Sequence, residues 1–132
     1  MYLKSFRSAN GGLHARYAFE ERFECAPGIV SPGMIGALLE GHGNWTAGIG
    51  ILDRQKLPKP PLMLAKSYAV SIADRASPAE RFVVTSRILH MEDSFSPASI
   101  RVEVSMFPSN SLTSPRAVAT AEYERIGAVR SL

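Results

Sequence analysis

GIVSPGMIGALLEGHGNWTAGIG, residues Gly28 to Gly50, has the start signal of a helix and the glycine content of a loop. Serine is a preferred N-cap and proline fits the first helical position, where its missing N–H would be unpaired anyway, so Ser31-Pro32 opens a helix. The expected helix covers about 31–50, with Gly48 or Gly50 as its C-cap. Glycines 33, 36, 41 and 43 fall inside it. Each costs about 0.5–1 kcal/mol relative to alanine, together about 2–4 kcal/mol. That is a large share of a small domain's net stability of about 5–15 kcal/mol, so their presence calls for a reason.

At about 100° per residue, Ile35, Leu38, Leu39, His42, Thr46 and Ile49 form one stripe. Gly33, Gly36, Ala37, Glu40, Asn44 and Ala47 lie toward the other side. Both sides are almost uncharged, which predicts a helix buried all round with Trp45 in the core. The small residues let another backbone, a ligand or a second subunit come close. Glu40 is the one acid among them. A buried carboxylate is costly unless paired. Glu40 is therefore either satisfied by an arginine or a backbone N–H, or it stands as a general base or nucleophile in a cleft. His42 sits on the apolar stripe and reads first as a core histidine, with a supporting role at the site as the second reading. It is two residues from Glu40, so the pair does not face one another on the helix.

Outward from the helix, the chain alternates apolar and polar residues. Ile100, Val102, Val104 and Met106 predict one half-buried antiparallel strand over 99–107. Ala117, Ala119, Ala121 and Tyr123 share one face of another over 116–127. β-branched density marks a third over 80–92. Leu62, Leu64, Tyr68, Val70 and Ile72 place a fourth over 62–72, with Lys66 interrupting its apolar face. Leu13, Ala15, Tyr17 and Phe19 begin a first strand over 13–24. Asn10-Gly11-Gly12 reads as the opening turn, and Asp53 to Pro61, with three prolines, as a loop. ADRASPA (73–79), 93–97 and PSNSLTSP (108–115) read as further turns. One strand or hairpin, one helix and a run of strands make a single α+β domain over 1–132, with the helix on an antiparallel sheet. The uncovered face and edges of that sheet predict oligomerisation.

The chain has 132 residues, 45% hydrophobic and 20% charged, which suits a globular domain. Its net charge of +3 comes from scattered residues with no basic run, so it lacks the footprint of a nucleic-acid binder. No apolar run approaches the ~20 residues of a membrane span, and no leader is visible. Cys25 is the single cysteine, which excludes an internal disulfide and suggests a reducing cytoplasm. It has no activating base nearby in sequence and reads as inert. Three scattered histidines match no metal spacing.

APGIVSPGMIGALLEGHGNW, within Phe23 to Trp45, resembles the signature of hotdog-fold acyl-CoA thioesterases of the phenylacetate-pathway type. In that family a loop of the form PPGIVHGG leads into a central helix carrying an acid near LLD or LLE. The resemblance implies a long antiparallel sheet wrapped around one helix. It further implies a homodimer or tetramer with sites at the subunit interface, and an acyl-CoA or other acyl thioester as substrate. It needs no cofactor beyond the coenzyme A of that substrate. Glu40 matches the family's acid. The oxyanion is held by an N–H at the helix N-terminus. Here the chain departs: the family's His-Gly-Gly is Ser31-Pro32-Gly33, and Pro32 has no N–H to give. The donor then shifts to Gly33 or Met34, with Ser31 competing for the same N–H groups as N-cap, or the protein binds acyl-CoA without hydrolysing it. Ser31 is also the candidate to hydrogen-bond a ligand, and Asn44, one turn past the acid, is a candidate polar helper. Lys66, Arg81 and Arg87 are candidates for the carrier phosphates. A hotdog hydratase would call for an Asp/His pair in another helix context, which this chain lacks.

Overall fold

The computed structural model describes residues 5–8, 12–94 and 97–128. Numbered in chain order, six strands form one antiparallel sheet. Its order is β1 (Ser5–Arg7), β2 (Leu13–Tyr17), β6 (Phe82–Glu92), β7 (Ser99–Pro108), β8 (Ala117–Ala128) and β5 (Pro61–Ile72). The helix α1 (Pro32–Gln55) lies on one face of this sheet and touches β5, β6, β7 and β8. A small hairpin of β3 (Glu24–Ala26) and β4 (Ile29–Val30) leads into it. Its turn is Pro27-Gly28, with Gly28 at φ 76°, the conformation a type II turn asks of its third residue. This is the α+β hotdog arrangement that the sequence predicts.

The core lies between helix and sheet. Ile100, Val102, Val104 and Met106 are all buried, as are Ala117, Ala119, Ala121 and Tyr123. They meet Ile35, Leu38, Leu39 and Ile51 of α1. Three alanines in β8 lower the sheet surface there, and glycines on the helix complete the fit. A Cβ at Gly43 would stand 2.7 Å from the hydroxyl of Tyr123 and 3.1 Å from Val104. Gly43 is therefore a packing requirement, whereas a Cβ at Gly41 would meet open space.

Several expectations need correction. The helix runs past residue 50 to Gln55, so Asp53 to Gln55 are helical rather than loop. Gly50 does not cap it: its missing Cβ makes room for Ile88, whose Cδ1 would otherwise be 2.6 Å away. The C-cap is Lys56, left-handed at φ 52°, two residues before Pro58 stops the helix. The strand expected over 13–24 ends at Tyr17. Phe19 then turns inward, edge-on to Phe82 at 6.0 Å, and a 3-10 turn occupies Glu21–Phe23. Asn10 and Gly11 of the opening turn, and residues 95 and 96 of the turn over 93–97, lie outside the described residues.

Two further corrections concern exposed surface. Trp45 is not core but 49% exposed, and Pro32, Gly33, Ala37 and Gly41 are exposed with it. A single sheet covers only one side of a helix, so the other side stays open. β5 also does not keep one apolar face. A bulge between Ala65 and Ser67 reverses its alternation. After it, Tyr68, Val70 and Ile72 pair with the buried Ala121, Ala119 and Ala117 and face the helix side. Before it, Leu62 and Leu64 point to the outer face and are about half exposed.

Candidate active site

Glu40 projects from the middle of α1, half-buried. Its neighbours one turn either way both meet β5. A Cβ at Gly36 would touch Val70, and the Asn44 side-chain amide donates to the Met63 carbonyl at 3.0 Å. Glu40 therefore lies on the line of the helix that runs along the free edge of the sheet. Its carboxylate takes part in no hydrogen bond or ion pair among the described residues.

The helix start is less encumbered than the sequence suggests. Ser31 is the N-cap, but its hydroxyl makes no capping bond. Its carbonyl instead accepts from the N–H groups of Met34 (3.0 Å) and Ile35 (3.3 Å). Met34 is thereby ruled out as a free donor. The exposed Gly33 N–H has no acceptor among the described residues. Of the two alternatives to Pro32, Gly33 is the available one. Seven residues at 1.5 Å of rise put Gly33 about 10 Å along the axis from Glu40.

Two tyrosines that the sequence reads only as strand residues stand on the helix side of the sheet. Tyr123 of β8 is fully buried and its hydroxyl donates to the Glu40 backbone carbonyl at 2.9 Å. Burial, then the nearby charge of Glu40, pushes its phenol above the ordinary tyrosine range, so it remains a donor at any working pH. Tyr68 of β5 lies on the same side of the sheet but is 54% exposed, at the open rim. The visible signal was one large residue ending a row of alanines opposite a helical glycine. Beyond Asn44, the residues Asn44, Trp45, Gly48, Pro60, Pro61, Leu62 and Met63 line a mainly apolar cavity of about 270 Å³.

His42 is buried away from this site. Its Nε2 lies 3.2 Å from the Leu13 carbonyl, which only accepts, so Nε2 carries the proton. Nδ1 then accepts from the Ser5 hydroxyl at 3.1 Å. The neighbouring Thr46 hydroxyl donates to the His42 carbonyl and is 2.7 Å from that of Ser86, which accepts from Leu13 N–H. Together these groups pin β1 and β2 to the helix. Burial, with the nearby His14 of β2, lowers the affinity of His42 for a second proton. The unfolded chain takes up that proton below the ordinary value of 6.5 and the folded chain resists it. Stability is therefore expected to fall as pH drops through and below 6.5. Denaturant midpoints on either side of that pH check this, and His42→Gln should flatten the slope.

The carrier-phosphate candidates do not gather at Glu40. Arg87 is on the outer face of β6, bonded to Glu103 at 3.0 Å. Lys66, at the β5 bulge, pairs with Glu124 at 3.7 Å. Arg81 is exposed just before β6. Cys25 is an exposed free thiol. Among the described residues no group of His, Cys, Asp and Glu is placed to hold a metal ion, and no helix is long and apolar enough to cross a membrane.

The sequence matches no protein-family profile and no curated protein. Solved structures are similar over nearly its whole length. A thioesterase superfamily protein from Shewanella loihica superposes with a TM-score of 0.71 at 16% identity, over 94% of this chain and 90% of that one. A Streptococcus mutans protein, solved bound to acetyl CoA, gives 0.75 at 12% identity over 98% and 93%. The E. coli PaaI protein of the phenylacetic acid degradation operon gives 0.73 at 8% identity over 98% and 83%. With one long helix on a six-stranded antiparallel sheet, this chain has the fold of these structures, the hotdog fold.

Proposed function

We propose that this protein hydrolyses acyl thioesters, with acyl-CoA as the substrate and Glu40 as general base. One observation carries the reading: a half-buried carboxylate with no hydrogen-bond or ion-pair partner among the described residues, on an open helix face. The fold it stands in is that of thioesterase-superfamily proteins, and a neighbour of the same fold binds acetyl CoA.

The chemistry follows from the distances. The thioester oxygen accepts from the Gly33 N–H at the positive end of α1. Helix N–H groups point toward the N-terminus, so within one chain the Gly33 donor faces away from Glu40, about 10 Å of rise further on; donor and acid meet one thioester and its water when they come from two copies. Glu40 takes a proton from that water as its oxygen attacks the thioester carbon. The carbon–sulfur bond breaks, the thiolate takes the proton from Glu40, and the free acid and coenzyme A leave. Ser31, with its hydroxyl uncommitted to the cap, hydrogen-bonds the substrate at the helix entrance. The apolar cavity beside Trp45 receives the acyl arm.

A second copy closes the site. β5 is a sheet edge of 12 residues, long enough to pair with another strand, and exposes Leu62, Leu64, Tyr68 and Ile72. The opposite edge, β1, has three residues among those described. A dimer across β5 covers the open side of α1 and sequesters Glu40, and the exposed outer leucines suit assembly to a tetramer. A cytoplasmic location accords with the exposed free thiol of Cys25.

Pro32 favours a second reading, in which acyl-CoA is bound but not cleaved, because loss of an oxyanion donor typically costs about 10²–10³ in rate. A panel of acyl-CoAs separates the two. Release of free thiol supports hydrolysis. A raised melting temperature without thiol release supports the binder. Neither response would remove acyl-CoA from consideration.

A further inference from the structure

We infer that Tyr123 is a positioning residue for Glu40, acting through the backbone carbonyl of that residue and made possible by glycine at 43. The inference rests on the hydrolase reading above. Three observations carry it. The Tyr123 hydroxyl donates to the carbonyl of Glu40 itself, at 2.9 Å, and not to a neighbour's. The ring is fully buried, so the hydroxyl has no water as an alternative partner. The space it fills exists only because residue 43 has no side chain, since a Cβ there would be 2.7 Å from the hydroxyl oxygen.

The arrangement fixes rotation of the helix about its axis at one turn. A helical carbonyl already accepts from the N–H four residues on, so Tyr123 adds a second bond and ties that turn to β8. One turn further, Asn44 ties the helix to β5 through the Met63 carbonyl. The Glu40 turn is thus held from two strands while its carboxylate is held by none. A base that must meet a water at a thioester needs such a fixed origin, because a misplacement of about 1 Å can cost about 10²-fold. Gly43 is explained by the same contact. Its helix-propensity cost is the condition for letting a phenol reach the main chain.

The test is steady-state kinetics of the full-length protein on the most active acyl-CoA from the panel. Tyr123→Phe keeps the buried ring and removes only the hydroxyl. It is expected to lower kcat by about ten- to a hundredfold with KM unchanged. Gly43→Ala, which displaces the hydroxyl, is expected to lower kcat similarly. The double variant should lose no more than either single one, because both act on one contact. A merely structural tyrosine would lower the melting temperature and leave the kcat of the folded fraction intact, and that result overturns the proposal. So does a double variant whose losses multiply. If the wild type releases no thiol from any acyl-CoA, the hydrolase reading falls and the positioning role with it. If the wild type is active and Tyr123→Phe matches it, the positioning role falls alone.

Discussion

Glu40→Gln is expected to reduce thioester hydrolysis by about 10²–10⁴-fold, the usual contribution of a positioned general base. The amide has the shape of the carboxylate but cannot take a proton from water. The variant should fold as the wild type does. Among the described residues the carboxylate has no hydrogen-bond or ion-pair partner, and it is only half-buried, so its replacement should change stability by less than about 0.5 kcal/mol. Loss of turnover with an unchanged denaturant midpoint is the combination to look for. Substrate affinity should survive, because the acid acts on the water rather than holding the thioester. Unaltered turnover in this variant would sink the assignment. A collapse in stability would show instead that Glu40 has a structural partner, such as one supplied by a second copy.

Gly12→Ala should be the most damaging small substitution for stability. A Cβ at this position would stand 1.8 Å from the Ser86 carbonyl oxygen and 2.8 Å from its carbon. These are main-chain atoms of β6, so no side chain can swing aside to make room. The start of β2 would have to move off the sheet. That movement would strain the Leu13 N–H bond to the Ser86 hydroxyl, and through it the Thr46 and His42 bonds to the helix. Overpacking of this kind costs about 1–3 kcal/mol, occasionally more, and the backbone contact places Gly12→Ala at or above the upper end. Chemical denaturation measures it directly. A loss under about 0.5 kcal/mol would mean that β2 can shift away from the Ser86 carbonyl at little cost.

The architecture was legible because its two strongest signals are local. Ser31-Pro32 needs no tertiary context to start a helix, and Ile100 to Met106 alternate cleanly because one sheet face is buried. Glu40 was legible as the odd acid in a row of small residues. What stayed hidden depends on partners that a linear pattern does not display. Trp45 looks like core by type, but its burial depends on how many layers cover the helix, and there is one. The glycines look alike in sequence. Only packing separates Gly43 and Gly50, which fit against side chains of the sheet, from Gly41, which meets none of the described residues. Tyr123 reads as one more inward-facing residue, since a hydrogen bond to a helix carbonyl leaves no periodic mark. Nor does the capping geometry of Ser31 follow from its identity. Serine can cap with its side chain, but here its carbonyl takes the bonds and its hydroxyl remains uncommitted.

The bulge at Lys66 has a consequence for anyone tracing this protein's ancestry. β5 looks like one continuous alternating strand, and an alignment that trusts the alternation will match Leu62 and Leu64 with Tyr68 and Val70 as a single class of position. They are two classes, selected by different surfaces and free to vary independently. A relative lacking the extra residue would show the opposite parity on one side of the gap while folding identically. Distant members would then seem unrelated along this strand although it pairs with β8 on both sides of the bulge.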